Sequence, residues 1–268
     1  MSKELAGTAL ITGASTGIGA VYADRLARRG HDLILIARDK ARLDVLAERL
    51  RAETGVEIEV LRADLTDRGQ LAAVEARLAT DPAIDILVNN AGMSMSGTVV
   101  NVEAAQIERL IALNITATTL LAAAAAKAFA AHGRGAIVNI SSVLALAPEM
   151  FDGVYSGSKA HLLNLSLSLS HQLQDMGIYV QAVLPGATRT EIWERSGKDV
   201  DALPAEMVMG VEDLVDAALV GFDRREAVTI PPLPDEGQWA AATAARLAMG
   251  PNLSRRDVAE RYRALEPA

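Results

Sequence analysis

The sequence predicts an α/β protein built on a parallel sheet covered by helices, and three observations lead there. An apolar run, Thr8 to Thr12, passes through a glycine-rich turn into a helix-like stretch, Gly17 to Arg29, and then into a second apolar run, His31 to Ala37. That order is a βαβ unit, which joins parallel strands. These runs are continuous rather than alternating, as in strands buried on both faces. The alternation continues along 268 residues with no repeat or obvious linker, an ordinary size for a single domain.

The first turn reads T-G-A-S-T-G-I-G, with Gly13, Gly17 and Gly19 spaced four and then two apart. Glycines let the backbone turn sharply and let phosphate oxygens approach amide N–H groups, while the helix N-terminus that follows adds partial positive charge. A dinucleotide pyrophosphate is the natural ligand. The same letters fit the G-x-S-x-G nucleophile elbow, with Ser15 as nucleophile and His161 or His171 as base, so a serine hydrolase is an alternative.

After the second strand, Asp39 is a capping residue for a helix running to Glu53, with Leu43, Leu46, Ala47 and Leu50 on one face. The strand ends at Ala37-Arg38 without an acid at Ala37. A carboxylate at the end of this strand suits the ribose 2′-hydroxyl of NAD, and an arginine suits the 2′-phosphate of NADP. Arg38 therefore favours NADP, with NAD possible.

Val56 to Leu61 is the third strand and Ala63-Asp64-Leu65 follows it. Asp67 to Thr80 is helical by spacing, ended by Pro82. Ile84 to Val88 is the fourth strand and leads into Asn89-Asn90-Ala91-Gly92. Two asparagines at a strand end are costly without partners, so they are read as braces between neighbouring strands. Glu103 to Ala131 is a long alanine-rich helix with Asn114 inside it, where an asparagine competes with the backbone. Ala136 to Ile140, Ile178 to Leu184 and Val228 to Ile230 are the remaining strands. Leu163 to Ser170 alternates with period two, yet Leu162, Leu165, Leu169 and Leu173 form a helical stripe, and helix is the assignment.

Composition narrows the classes. Aromatic residues make up 3% of the chain against 50% hydrophobic, so the core is made of Ala, Val, Leu and Ile and its helices pack closely. A net charge of -8 without a basic run argues against nucleic acid or an anionic membrane as partner. The absence of cysteine excludes disulfides, thiolate metal sites and a cysteine nucleophile, and fits a reducing cytoplasm. The N-terminal apolar run is too short for a signal peptide, and the longest apolar stretch, Leu120 to Ala131, is interrupted by Lys127 and too short to span a bilayer. A cytoplasmic protein is expected.

The chemistry centres on Tyr155 and Lys159. Four residues apart on a helix, their side chains share one face, and a nearby ammonium is expected to lower the phenol pKa toward working pH. Tyr155 is thus a candidate proton donor and acceptor.

Taken together, T-G-A-S-T-G-I-G, N-N-A-G, Asn114, I-V-N-I-S-S, Y-S-G-S-K and P-G-A-T-R-T resemble, in this order, the short-chain dehydrogenase/reductase family over residues 5 to 225. The resemblance implies a Rossmann-like doubly wound parallel sheet of about seven strands with helices on both faces. Residues 1–230 would be the dinucleotide-binding and catalytic domain and 231–268 a C-terminal helical extension of it, set off by Pro231-Pro232-Leu233-Pro234. This tail is expected to cover the pocket or a neighbouring subunit. Tyr155 would be the general acid in carbonyl reduction. Lys159 would lower its pKa and hold the nicotinamide ribose, Ser142 would hydrogen-bond the substrate oxygen, and Asn114 would hold a water behind Lys159. Ser141 is the alternative serine; Ser142 is preferred because it precedes Tyr155 by the family's thirteen residues. Gly13, Ser15, Thr16, Gly17, Ile18, Gly19, Arg38, Asp64, Leu65, Asn90, Ala91, Gly92, Pro185, Gly186 and Thr188, with Tyr155 and Lys159, would bind the cofactor.

Two positions depart from the family pattern. Thr16 stands where many NADP-using members carry a basic residue, leaving Arg38 as the main 2′-phosphate candidate, and Ala145 replaces a frequent glycine. No cluster with metal-ligand spacing is present. The substrate pocket is expected to draw on Met93, Met95, the Leu144 to Phe151 segment, Ile192, Trp193, Met207 and Met209, which suits a hydrophobic ketone, aldehyde or secondary alcohol. Arg189 or Arg195 could instead receive an anionic substrate. The leading reading is an NADP(H)-dependent carbonyl reductase that assembles as a homodimer or homotetramer through the alanine-rich and leucine/serine helices. A non-catalytic dinucleotide sensor on the same fold is the alternative.

Overall fold

The computed structural model describes residues 7 to 263 except Ser96 and Thr98. The first six residues of the N-terminal segment lie outside the described residues. Strands β1 (Thr8–Thr12), β2 (Asp32–Ala37), β3 (Ile58–Arg62), β4 (Ile84–Asn89), β5 (Gly135–Ile140), β6 (Ile178–Val183) and β7 (Val228–Thr229) form one parallel sheet in the order β3-β2-β1-β4-β5-β6-β7. The order reverses between β1 and β4, and this switch point places a crevice at the carboxyl ends of the strands.

Helices α1 (Gly17–Arg28), α2 (Lys40–Thr54) and α8 (Val211–Asp223) cover one face, while α3 (Arg68–Thr80), α5 (Thr118–His132) and α6 (Gly153–Leu173) cover the other. Successive strand residues serve opposite faces. Ala9 and Ile11 pack with Tyr22, Leu26 and Val215, whereas Leu10 packs with Leu71, Leu121 and Phe129. The continuous apolar runs of the sequence are the signature of this two-sided burial.

The polar residues of the central strands form one line across the sheet. Asn89 and Asn139 are register partners on β4 and β5. Asn89 Nδ2 donates to the Thr118 carbonyl on α5 at 2.7 Å and to Asn139 Oδ1 at 3.2 Å, and Asn139 Nδ2 donates to Ser166 Oγ on α6 at 2.9 Å. Asn90 turns the other way and donates to the carbonyls of Thr12 and Gly13 at 2.9 and 3.2 Å. Both asparagines brace neighbouring elements, as expected from the cost of burying an unpaired amide.

The leucine/serine stretch is helical. Its inward Ser166 gives its hydroxyl proton to the Leu162 carbonyl at 2.7 Å and still accepts Asn139, so the serine does not unpick the helix. The expected helical region over 103–131 is a continuous run made of α4 (Ala104–Ile111), a π-helical turn over Ala112–Ala117 and α5. The continuous helical run, Ala104–His132, is long and apolar enough to cross a membrane by length and composition, with a mean hydropathy of 1.5. The shorter window, 120–131, missed this because the helix continues upstream through the π turn.

The chain divides into two compact units, Met1–Pro231 and Pro232–Ala268. The second contains α9 (Glu236–Ala248), started by Asp235, whose side chain accepts the Gly237 N–H at 2.8 Å.

Candidate active site

Every predicted site residue lies at or just beyond a strand carboxyl end, apart from Asn114, Tyr155 and Lys159, which helical segments deliver. The β1–α1 turn carries Gly13, Ser15 and Thr16, and α1 opens with Gly17, Ile18 and Gly19. Thr16 precedes α1 without a side-chain cap, so the first amides of the helix are left for another acceptor. Gly13 has φ +67°, and a Cβ on it would lie 2.8 Å from Asn90 Nδ2. On Gly19 a Cβ would meet the Gly13 carbonyl at 2.4 Å, so the helix can approach the turn only without a side chain there. Thr12 Oγ1 accepts both the Asn90 and Ala91 N–H groups, at 3.0 and 2.9 Å, fixing the β4 end beside this turn. This cradle can receive a phosphate group.

At the end of β2, Arg38 is exposed. Asp39 is taken by Arg42, accepting its N–H at 3.1 Å and approaching its Nε at 3.4 Å, so it does not pair with Arg38. After β3, Asp64 accepts the Thr66 N–H and hydroxyl at 3.0 and 2.7 Å. Burial works against its charge, but these bonds and the charges of Arg38 and Arg109 outweigh it and hold the carboxyl below its usual range. Leu65 is buried beside it.

Lys159 and Tyr155 enter on α6. Asp152 caps this helix by accepting the Tyr155 N–H at 2.7 Å. Lys159 is buried and its ammonium donates to the Ile140 carbonyl at 2.9 Å, with Nζ 5.6 Å from the Tyr155 ring centre. Ser141 gives its hydroxyl proton to the Lys159 carbonyl at 2.7 Å, which commits it to tying β5 to α6. Ser142 Oγ accepts the Leu144 N–H at 3.1 Å and donates to the Pro185 carbonyl at 3.5 Å. Of the two candidate serines, Ser142 is the one near enough to the phenol to act on its pKa.

The expected effect of lysine on tyrosine is corrected here. Burial pushes the Tyr155 phenol up to about 12; the Asp152 charge adds to this and the Ser142 hydrogen bond opposes it. Burial likewise pushes Lys159 down to about 8. Desolvation disfavours the charged form of each and is the leading cause of both shifts.

Asn114 is buried in the π turn. Its Nδ2 donates to the Met93 carbonyl at 2.8 Å and to Ser158 Oγ at 3.1 Å, while Oδ1 accepts the Met93 N–H at 2.9 Å. Both amide protons are therefore spent, and only the second lone pair of Oδ1 is left for a water. A Cβ on Gly92 would stand 3.5 Å from both that oxygen and Lys159 Nζ, so the missing side chain keeps this gap open.

Past β6, the Pro185 carbonyl accepts the Val143 N–H at 2.9 Å. Thr188, buried, donates to the Gly186 carbonyl at 3.1 Å, and its own carbonyl accepts Trp193 Nε1 at 2.8 Å. The expected pocket residues divide. Met95 is buried at 2% exposure and belongs to the interior, whereas Leu146, Met150 and Met207 are exposed. Phe151 packs edge-on against Tyr155 with centroids 5.6 Å apart, and Lys198 Nζ sits 3.4 Å from the Phe151 ring centre. Arg189 and Arg195 each pair with a carboxylate, Asp201 at 2.8 Å and Glu191 at 2.6 Å, and Arg195 does so through Nη2 alone. The hydrolase alternative finds no triad: His161 is bonded to Thr119 at 2.8 Å, and His171 is exposed near the C-terminal end of α6.

Asp152, Lys198 and Thr12 were not foreseen. An aspartate just before a helix is a capping signal and could have flagged Asp152. Nothing local links Lys198 to Phe151.

Fold and site together define an α/β protein with a phosphate cradle and a Ser–Tyr–Lys cluster at the carboxyl ends of a parallel sheet. The short chain dehydrogenase family profile matches residues 7–201, and the chain belongs to that family. It is similar to a short-chain dehydrogenase from Sphingobium yanoikuyae solved in complex with NADPH, at 59% identity and TM-score 0.94 over 96% of this chain and 100% of that one. It is also similar to the bulky-bulky ketone specific alcohol dehydrogenase from Comamonas testosteroni, at 53% identity and TM-score 0.88 over 96% and 98% of the two chains. Among curated relatives, the very-long-chain 3-oxoacyl-CoA reductase of Podospora anserina is 31% identical over 81% of this chain, which spans 64% of that protein's length.

Proposed function

We propose that this protein is an NADPH-dependent carbonyl reductase acting on ketones or aldehydes with bulky apolar substituents, and on the matching alcohols in reverse. The observation that carries the reading is Ser142, Tyr155 and Lys159 gathered at the same strand ends as the glycine cradle and the exposed Arg38. The NADPH complex of the Sphingobium relative and the ketone named for the Comamonas relative support it.

The bound dinucleotide would supply a hydride to the carbonyl carbon. Tyr155, protonated across the neutral range, gives its proton to the developing alkoxide, and Ser142 donates a second hydrogen bond to the same oxygen. Lys159 keeps a positive charge below about pH 8 and hands protons toward the phenol from the gap bounded by Gly92 and Asn114. The glycine turn and the α1 amides would hold the pyrophosphate, and Arg38 would meet the 2′-phosphate. Phe151, Trp193 and Met209 give the substrate side its apolar character.

Turnover of NADPH with aryl and alkyl ketones tests this. Tyr155→Phe should abolish turnover while NADPH binding persists, and Ser142→Ala should lower kcat by about two to three orders of magnitude. A wild type that binds NADPH yet reduces no ketone would favour the sensor alternative.

We also place the enzyme in the cytoplasm and in a homodimer or homotetramer. Only 39% of the most apolar window of the 104–132 helical run is buried within the chain, which leaves its remaining surface for a second copy. A monomeric mass by light scattering at micromolar concentration would rule the assembly out.

A further inference from the structure

The loop after β6 does something that neither the glycine motif nor the Ser–Tyr–Lys cluster requires: it folds back onto the phosphate cradle. A Cβ on Gly17 would stand 3.2 Å from the Thr190 methyl. One residue on, Glu191 accepts Arg42 Nη1 of α2 at 2.8 Å on both carboxylate oxygens. Glu191 also accepts Arg195 Nη2 at 2.6 Å, and that same nitrogen lies 3.5 Å from Thr16 Oγ1. The hydrogen bond from Arg42 is the main cause that keeps Glu191 below its ordinary range, with burial opposing and Arg195 adding.

Arg195 thus places a guanidinium beside Thr16 in a cradle that has no charged residue of its own. It comes from the short helix α7 (Ile192–Arg195), more than 170 residues along the chain from Thr16. Its side chain remains 54% exposed and retains N–H donors beyond those on Glu191 and Thr16. A planar fork of donors beside a phosphate cradle suits a phosphate dianion better than a point charge would.

Resting on the NADPH reading above, we infer that Arg195, held in place by Glu191, is the second cation for the 2′-phosphate of the dinucleotide and replaces the basic residue absent at Thr16. Glu191 is a positioning residue: it fixes the guanidinium beside Thr16 and ties α7 to α2, the helix that begins after Arg38. Cofactor choice and the seating of the loop after β6 are then set by one carboxylate.

Calorimetric binding of NADPH, NADH and adenosine 2′,5′-bisphosphate to the full chain, without turnover, tests this. Arg195→Met should weaken NADPH and the bisphosphate about tenfold and leave NADH within about twofold, and Arg195→Lys should fall between. Glu191→Gln should weaken NADPH about threefold in the wild-type background and have no further effect on Arg195→Met. Thermal melts of each variant separate loss of fold from loss of contact, and Arg195→Lys keeps the charge should the methionine variant fail to fold. Parallel loss of NADPH and NADH would mean that Arg195 serves the pyrophosphate or only the loop, and would overturn the inference, as would unchanged NADPH binding. A wild type that holds NADH as tightly as NADPH would sink the cofactor reading itself, a result independent of any Arg195 variant.

Discussion

Asp152 does two jobs that substitution can separate. One carboxylate oxygen accepts the Tyr155 N–H at 2.7 Å and starts α6, while the other is buried without a partner, and the charge raises the phenol pKa. Asp152→Asn keeps an acceptor for the cap and removes the charge, whereas Asp152→Ala removes both. The cap is worth about 1 kcal/mol, so the alanine variant should melt roughly 2–4 °C lower while the asparagine variant stays near wild type. Both should lower the Tyr155 pKa, because each removes the charge that helps to raise it. Tyr155 must lose its proton to act as base in alcohol oxidation. The rising limb of kcat/KM for oxidation should therefore move to lower pH by the same amount in both variants. Assays of a bulky secondary alcohol with NADP from pH 6 to 11 read that shift as a higher kcat/KM at each pH on the rising limb. If it moves in neither variant, the Asp152 charge does not act on Tyr155; if it moves only in Asp152→Ala, the cause is helix fraying and not charge.

Arg38→Ala should weaken NADPH about tenfold or more and NADH little, and equal losses in fluorescence titrations would refute its assignment to the 2′-phosphate. Asn114→Ala strands the Met93 backbone groups and Ser158, so denaturant unfolding should show a loss of about 2 kcal/mol with lowered kcat; an unchanged midpoint would mean those groups find other partners. Because burial pushes Lys159 down to about 8, it is cationic below that pH and neutral above it. Carbonyl reduction should hold up to about pH 8 and decline beyond, with Lys159→Met lacking that transition. Gly19→Ala places a methyl 2.4 Å from the Gly13 carbonyl and should cost about 1–3 kcal/mol in thermal unfolding along with dinucleotide binding.

Features that depend on short stretches of chain could be read from the residues. The glycine turn is legible because only glycine tolerates the conformation at Gly13 and the close approach at Gly19, and Tyr155 and Lys159 because helical spacing alone aligns them. The two-sided sheet is legible because its strands are apolar without alternation. What escaped depends on distance through space. Lys159 advertises a charge beside Tyr155, but the burial that outweighs it is contributed by the rest of the fold. Arg189 looks like a free cation until Asp201 is found beside it. The spacing to Tyr155 already favours Ser142 over Ser141, but the reason Ser141 is committed elsewhere, its bond to the Lys159 carbonyl, has no local signal. The π turn at Asn114 interrupts no apolar pattern, so a single helix was the natural expectation.

That turn sets the angular phase between α4 and α5. A π turn carries roughly one residue more than an α turn, and each helical residue rotates the next by about 100°. Thr118 Oγ1 closes the wide turn by donating to the Asn114 carbonyl at 2.6 Å. Removing one residue from 112–117 would restore a regular α-helix and swing Leu121, Ala125 and Phe129 off the sheet while drawing Asn114 from Met93. For this segment length is a stricter constraint than composition: a library of substitutions across it should yield many folded proteins, and a library of single deletions almost none.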